Sequence, residues 1–323
     1  MIRVAAIDCG TNSVRLLIAD LPTGPSGGAA LGEPVDVERR MEIVRLGQGV
    51  DRTGKLAPEA LERTFAAMRG YAKLIVEHGG GAAGVRPADV MPVRVVATSA
   101  TRDASNREDF AAGVREIFGV DPEVVTGAEE ARLSFTGATR GLAALGPEAP
   151  FLVVDIGGGS TEFVVGADAV DGALSVDIGC VRLTERHIRQ DPPEQPAVQA
   201  MIGDIEAAMD RVEEAVPVRE ARSLVGLAGS VTTVAGIALG LPEYDPAAIH
   251  HSRIPAERVH EVSARLLAST HEERAAIPVM HPGRVDVIGA GALILDRIVR
   301  RYGFSEVVVS EHDILDGIAW SLV

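Results

Sequence analysis

The stretch F-L-V-V-D-I-G-G-G-S-T-E-F-V-V, Phe151–Val165, decides how the rest of the chain is read. An apolar run enters Asp155; glycines, a serine and a threonine follow; after Glu162 the chain is apolar again. Each apolar run has the length and composition of a buried strand, so the pattern predicts strand, tight turn, strand. Gly157, Gly158 and Gly159 carry no side chains, which lets backbone N–H groups approach an anion closely. Asp155 and Glu162 flank the turn. Backbone donors for phosphate beside carboxylates for a hard cation point to a metal–phosphate site.

Working outward, the N-terminus repeats the pattern. Ile2–Ile7 is apolar and ends at Asp8; Cys9, Gly10, Thr11, Asn12 and Ser13 follow, then V-R-L-L-I-A. Asp8 falls on Asp155, Gly10 on Gly157, Ser13 on Ser160 and Arg15 on Glu162. One such hairpin per half of the chain implies two similarly folded halves facing each other. A further small-residue turn, Gly229-Ser230, follows a predicted strand at Ser223–Ala228 and opens a helix, which makes it an anion site.

Between the hairpins, the predicted strand Val93–Ala97 empties into T-S-A-T-R-D-A-S-N. Ligands in open α/β sheets sit beyond strand carboxyl ends, so Arg102 and Asn106 are candidate substrate contacts. A guanidinium suits phosphate, and Asp103 or Ser105 can cap the helix that runs to Phe118. Glu129 and Glu130 fall in the first turn of a helix starting near Ala128. The helix dipole accounts for an acid there, at ~0.3–1 kcal/mol each; a base for catalysis is the other reading, and spacing does not choose. Arg182, Arg186 and Arg189 form a basic patch that reads equally as a solvated helix face or as a guide for a polyanion. Helices are expected at Pro58–His78, Pro196–Val216 and Val285–Arg301, a strand at Val307–Val309, and a last helix at Asp313–Leu322 returning to the first half. Thr23–Gly32 reads as a surface loop.

Bulk properties narrow the class. The 323 residues suffice for two domains. Aromatics are only 3%, so the cores must be aliphatic. A net charge of −15 opposes broad binding to nucleic acid or an anionic membrane, though not an anionic substrate in a locally basic site. Cys9 and Cys180 have no metal-ligand spacing and read as reduced, buried thiols. The start M-I-R-V-A-A-I-D has no signal-peptide pattern, and no apolar run is long enough to span a bilayer, so the expected location is cytoplasmic. A P-loop, a dinucleotide fingerprint and a nucleophile elbow are all missing from the sequence.

Paired Asp-Gly hairpins resemble the superfamily of actin, sugar kinases and the large heat-shock chaperones. Five ordered motifs are narrower: I-D-C-G-T-N-S-V-R at Ile7–Arg15, T-S-A-T-R-D-A-S-N at Thr98–Asn106, T-G-A-E-E-A at Thr126–Ala131, D-I-G-G-G-S-T-E at Asp155–Glu162 and G-L-A-G-S at Gly226–Ser230. Together with a closing S-E-H-D-I-L-D-G-I, they resemble the exopolyphosphatase/guanosine pentaphosphate phosphohydrolase family. I-V-R-L-G-Q-G-V, D-I-G-C-V-R-L-T-E-R and M-H-P-G-R-V-D-V-I-G are most similar to the short actinobacterial exopolyphosphatases. The resemblance implies an α/β fold of two ribonuclease-H-like (actin-like ATPase) domains with an inter-domain cleft, drawn as residues 1–126 plus 305–323 and residues 127–304.

By the same resemblance Glu130 is the catalytic base and Arg102 a cleft arginine. Asp155, Glu162 and Asp8 are the metal carboxylates, and Gly10, Thr11, Asn12, Ser13, Gly157, Gly158, Gly159, Ser160, Thr161, Gly229 and Ser230 form the phosphate turns. Magnesium is the implied cofactor, with manganese as a substitute and a monovalent cation alongside. The implied substrate is inorganic polyphosphate, with release of terminal orthophosphate. Guanosine pentaphosphate or tetraphosphate is the alternative ligand, and sugar or acid kinase activity a more distant reading. A homodimer is implied, with neither nucleic acid nor membrane as partner. Cys9 stands where the family usually has an aliphatic residue, which matters little if it points into a core. Longer relatives carry extra C-terminal helical domains, and their lack here leads to an expected preference for short chains.

Overall fold

The computed structural model describes residues 1–23, 34–140, 142 and 146–323. From residue 24 onward, the expected loop at Thr23–Gly32 lies outside the described residues. The chain divides into two compact units, Met1–Gly137 with Ile314–Val323, and Ala138–Asp313. Both boundaries differ from the sequence expectation. Residues 305–313 go with the second unit because their strand, β11 (Glu306–Val309), hydrogen-bonds between two strands of that unit's sheet. Helix α5 (Gly127–Thr139) begins in the first unit, where its Leu133 shares a core with Val4, Leu17 and Trp320.

The first unit is built on an antiparallel meander: β1 (Ile2–Cys9), β2 (Ser13–Leu21) and β3 (Val35–Ile43). Strands β4 (Val93–Ala97) and β5 (Glu123–Val124) extend it in parallel, giving the order β3-β2-β1-β4-β5. Side chains alternate across the sheet. Ala5, Ile7, Cys9, Val14, Leu16 and Ile18 face one core, completed by α2 (Pro58–His78) and α4 (Arg107–Phe118). Helix α2 starts with Pro58 in its first turn, where the missing N–H is harmless. Of the expected apolar stripe Leu61, Phe65, Met68, Ala72 and Ile75, it buries Leu61, Met68 and Ile75; Phe65 and Ala72 are only partly buried, and Thr64 and Tyr71 are buried beside them. The other face, with Val4, Ala6, Leu17 and Ala19, is covered by α13 (Ile314–Trp320), so the last helix does return to the first half.

The second unit repeats this plan. Strands β6 (Phe151–Ile156), β7 (Thr161–Gly166) and β8 (Val170–Val176) form the meander. Strand β9 (Ser223–Leu227), then β11, then β10 (Arg253–Pro255) extend the sheet, in the order β8-β7-β6-β9-β11-β10. Its core takes Leu152, Val154, Ile156, Phe163, Val165 and Val176 from the meander. Helices close over them: α7 (Gln195–Ala215), α8 (Ala228–Leu239), α10 (Ala256–Ala268) and α12 (Ile288–Tyr302), joined by Leu183 of the short α6 (Cys180–His187) and Ile249 of the short α9 (Pro246–Ile249), with α11 (His271–Ala275) following α10. Leu, Ile, Val, Met and Ala build nearly all of this core, as the scarcity of aromatics requires. Among the described residues, no helix is long and apolar enough to cross a membrane.

Candidate active site

In each unit the sheet presents its hairpin turn at the same strand ends. Gly10 N–H donates to Ser13 O at 3.0 Å, and Gly157 N–H donates to Ser160 O at 3.0 Å, so the aligned residues close the two turns identically. The turn carbonyls are used by the segment after each meander. Val44 and Arg45 N–H reach Asn12 O, and Gly47 N–H reaches Thr11 O; in the second unit Cys180 N–H reaches Gly157 O, while Val181 and Arg182 N–H reach Gly158 O. Among the described residues, no acceptor takes the amides of Thr11, Asn12, Gly158, Gly159 or Ser160. With carbonyls satisfied and amides not, each turn is an anion-binding nest.

Behind the second turn, Gly179 has no room for a side chain. A Cβ there would lie 2.4 Å from the Gly158 carbonyl. The Gly229-Ser230 turn is an uncapped helix start: Leu227 provides no side-chain cap to α8, and Ala228 sits at φ +66. A non-glycine residue in that region is costly and occurs where the surroundings enforce it, commonly at functional sites.

The first unit holds the predicted base and arginine together. Arg102 follows β4 in α3 (Ser99–Asp103), and its Nη1 donates to Glu130 Oε2 at 3.0 Å and to Val125 O at 2.9 Å. Glu130 is buried, at 7% exposure. Its neighbour Glu129 faces outward, bonded to Arg132 at 2.7 Å and 3.8 Å from Arg94. The hydrogen bonds from Arg132 hold the Glu129 carboxyl below its ordinary pKa, partly offset by burial. The geometry thus separates two acids that spacing could not: Glu129 belongs to a surface ion-pair set, Glu130 to the buried pair with Arg102.

The carboxylates flanking the turns differ. Asp8 stands opposite Arg15 in the β1–β2 register, and Arg15 binds Asp8 Oδ2 through Nε at 2.9 Å and Nη2 at 2.6 Å. Asp155 stands opposite Glu162 in the β6–β7 register, and both are buried. Two carboxylates facing each other from adjacent strands are the oxygen donors that a divalent cation takes, so their chemistry fits one. Among the described residues, no group of three or more His, Cys, Asp and Glu side chains is arranged to hold a metal. The remaining ligands would be water and phosphate oxygens, the set that Mg²⁺ prefers.

Several candidate contacts change role. Asn106 is not aimed at substrate: its Oδ1 accepts from Leu56 N–H at 2.9 Å and its Nδ2 donates to Leu56 O at 3.1 Å, tying down the preceding loop. It also occupies the N-cap position of α4, so neither Asp103 nor Ser105 is the cap. The basic patch on α6 (Cys180–His187) and beyond does not act as one surface. Arg186 pairs with Asp204 at 2.8 Å, Arg189 lies past the end of α6 and donates to its Glu185 and Arg186 carbonyls, and Arg182 Nε donates to Gly159 O at 2.7 Å, bracing the glycine turn. Cys9 points into the first core, as expected, and both thiols are buried.

One residue escaped sequence reading. The Arg284 guanidinium lies against Gly229, where a Cβ would meet Nη2 at 2.1 Å. Its Nη1 is 3.4 Å from Thr233 Oγ1, and no carboxylate pairs with it among the described residues. An uncompensated guanidinium over an uncapped helix start is an anion contact. Arg284 comes from a short 3₁₀ turn after His281, a context without periodicity to flag it.

Known proteins resemble this chain over nearly its whole length. The Ppx/GppA phosphatase family matches residues 28–323. Exopolyphosphatase 2 of Mycobacterium tuberculosis is 49% identical over 329 residues, covering 99% of this chain and 98% of the relative. A crystal structure described as an exopolyphosphatase-like protein superposes with a TM-score of 0.89 at 41% identity, covering 98% of both chains. The Aquifex aeolicus PPX-GPPA enzyme superposes with a TM-score of 0.78 at 31% identity, covering 99% of both. The two mixed sheets are those of the actin-like, two-domain α/β fold.

Proposed function

The chain belongs to the Ppx/GppA phosphatase family, and from that premise we propose that it is an exopolyphosphatase, hydrolysing the terminal phosphoanhydride of inorganic polyphosphate to release orthophosphate. The observation that carries this reading is the buried Glu130 held by Arg102. A buried carboxylate can orient and deprotonate a water for hydrolysis; kinases use a carboxylate on their acceptor hydroxyl in the same way, so the choice of water as the acceptor is supported by the exopolyphosphatase relative. The substrate assignment is supported by the exopolyphosphatase name of the 49% identical relative.

In the proposed reaction the free amides of the glycine turns, the start of α8 and Arg284 bind the phosphoryl oxygens. Arg102 fixes Glu130 and adds positive charge toward the transferred phosphoryl group. Glu130 takes the proton of the attacking water as it adds in line to the terminal phosphorus; the P–O bond to the penultimate phosphate breaks, and the shortened chain leaves with that oxygen. A divalent cation bound by Asp155 and Glu162 would supply charge neutralisation on the phosphoryl oxygens. Magnesium is the proposed ion, and the cytoplasm, with a homodimeric state, the proposed setting.

The test is orthophosphate release from polyphosphates of defined short and long lengths, guanosine pentaphosphate and ATP, by wild type and Glu130→Ala. Polyphosphate should be the best substrate, and the substitution should lower kcat by roughly 10²–10⁴. Full activity in Glu130→Ala removes the base assignment. Higher kcat/KM on guanosine pentaphosphate would move the chain to the pentaphosphate phosphohydrolases, and no cleavage of any substrate ends the reading.

A further inference from the structure

One row of side chains crosses three adjacent strands of the second unit. Asp155 on β6 stands opposite Glu162 on β7, and Glu162 stands opposite Ser175 on β8. Alternation puts all three on the sheet face away from Val154, Phe163 and Leu174, which pack into the core. The Ser175 hydroxyl donates to Glu162 Oε1 at 2.7 Å. Glu162 is 1% exposed, so this bond lies where water does not compete freely.

The equivalent row of the first unit reads Asp8, Arg15, Met41. There the middle residue answers the aspartate's charge itself, and the third strand offers only a thioether. In the second unit the middle residue repeats the negative charge, and the third strand offers a neutral donor. A hydroxyl can orient a carboxylate without neutralising it; an arginine or lysine at the same place would do both.

We propose that Ser175 is a positioning residue for Glu162, holding its carboxylate in the orientation from which it binds the divalent cation. The inference rests on the reading of Asp155 and Glu162 as the cation's carboxylates. A glutamate must fix three side-chain torsions before it can ligate, and a free one loses that freedom when the cation arrives. A serine directly across an antiparallel pair is close enough to hold the carboxylate beforehand, since facing Cβ atoms lie about 5 Å apart. Hydrogen-bond partners of ligating groups have this effect generally, and their loss weakens metal binding by about 10–100-fold.

The experiment compares wild type, Ser175→Ala, Ser175→Thr, Ser175→Val and Glu162→Gln in the full chain. Mn²⁺ binding is measured by calorimetry without substrate, the half-saturating Mg²⁺ concentration from phosphate release, and melting temperature in EDTA. Ser175→Ala and Ser175→Val should weaken Mn²⁺ binding and raise the half-saturating Mg²⁺ about tenfold, with most of kcat returning at saturating Mg²⁺. Ser175→Thr keeps the hydroxyl and should stay near wild type. Threonine and valine have the same shape and both favour strands, so that pair isolates the hydroxyl even if alanine disturbs the strand. Wild-type Mn²⁺ affinity in Ser175→Val, or equal losses in threonine and valine, would overturn the proposal. If Glu162→Gln also binds Mn²⁺ normally, the carboxylate-pair reading fails with it; if Glu162→Gln loses binding while Ser175→Val keeps it, only the role of Ser175 fails.

Discussion

Asp8 and Asp155 occupy the same place in two copies of one hairpin, and the residues across from them set them to different work. The turns beside them close with the same hydrogen bond of the same length. Yet Arg15 clamps Asp8 through two nitrogens, while Asp155 faces the buried Glu162. The fold therefore closes the glycine turn in the same way in both halves, and a single position in the second strand decides whether the adjoining aspartate faces an arginine or a second carboxylate. The proposed base lies on neither hairpin. It comes from the first turn of α5, where Arg102 at the end of β4 can reach it.

The largest effect is expected from converting the second hairpin into the first. Glu162→Arg recreates the Asp–Arg pair, and adding Ser175→Met reproduces the whole row Asp8, Arg15, Met41. Phosphate release should fall by at least about 10²-fold, a floor set by what the loss of mere supporting partners costs a metal site. Mn²⁺ binding should be lost while the melting temperature in EDTA holds, since the new row repeats the Asp–Arg pair of the first hairpin. A variant that still binds Mn²⁺ like wild type would break the comparison at its centre.

The second effect is on stability and concerns the first hairpin. The Asp8 side chain is 5% exposed and Arg15 19%, so the pair is largely desolvated. Arg15→Leu leaves a buried carboxylate without its guanidinium, and removing one member of such a pair typically costs about 3–5 kcal/mol. Denaturant unfolding should show that loss, with added Mg²⁺ restoring little, because the row lacks a second carboxylate. If Mg²⁺ restores full stability, the first row also accepts a cation, and the sequence assignment of Asp8 as a metal ligand gains support.

Much of this was legible in the sequence because the relevant signals are local. Apolar runs gave β1, β4 and β6, and proline with an apolar stripe gave α2 to the residue. The glycine turns announce themselves, since few other residues allow such a close approach. What escaped depends on contacts distant in sequence. Nothing near Asn106 says that it will hold Leu56, fifty residues earlier, and nothing near Arg284 says that it will rest on Gly229. The alignment of Arg15 with Glu162 was visible, but its meaning needed the register, which turns an aligned position into a facing partner. The boundary near residue 304 missed because β11 is a short strand whose place comes from its neighbours β9 and β10, not from its own four residues.

The smallest effect tests how each turn is backed. Both turns rest on a glycine from the segment after the meander: Gly47 behind Thr11, Gly179 behind Gly158. A Cβ at Gly47 would meet Thr11 Cγ2 at 2.3 Å, which rotation can move, and Ala100 Cβ at 3.0 Å and Thr11 Cβ at 3.2 Å, which it cannot; all three are side-chain atoms. A Cβ at Gly179 would meet the carbonyl carbon and oxygen of Gly158 at 2.4 Å and Gly159 N at 2.6 Å, all backbone atoms of the anion nest. Neither glycine has a positive φ, so crowding alone decides the outcome. Gly179→Ala should cost about 1–3 kcal/mol, the usual range for overpacking, and should also raise the KM for polyphosphate, because relief requires moving the amides proposed to bind it. Gly47→Ala should cost less in stability and leave KM closer to wild type, although Thr11 must leave its 2.9 Å contact with Ser99 Oγ to make room. Equal effects on KM would mean that the side chain behind the first turn is as fixed as the backbone behind the second, and that the two nests are rigid for the same reason.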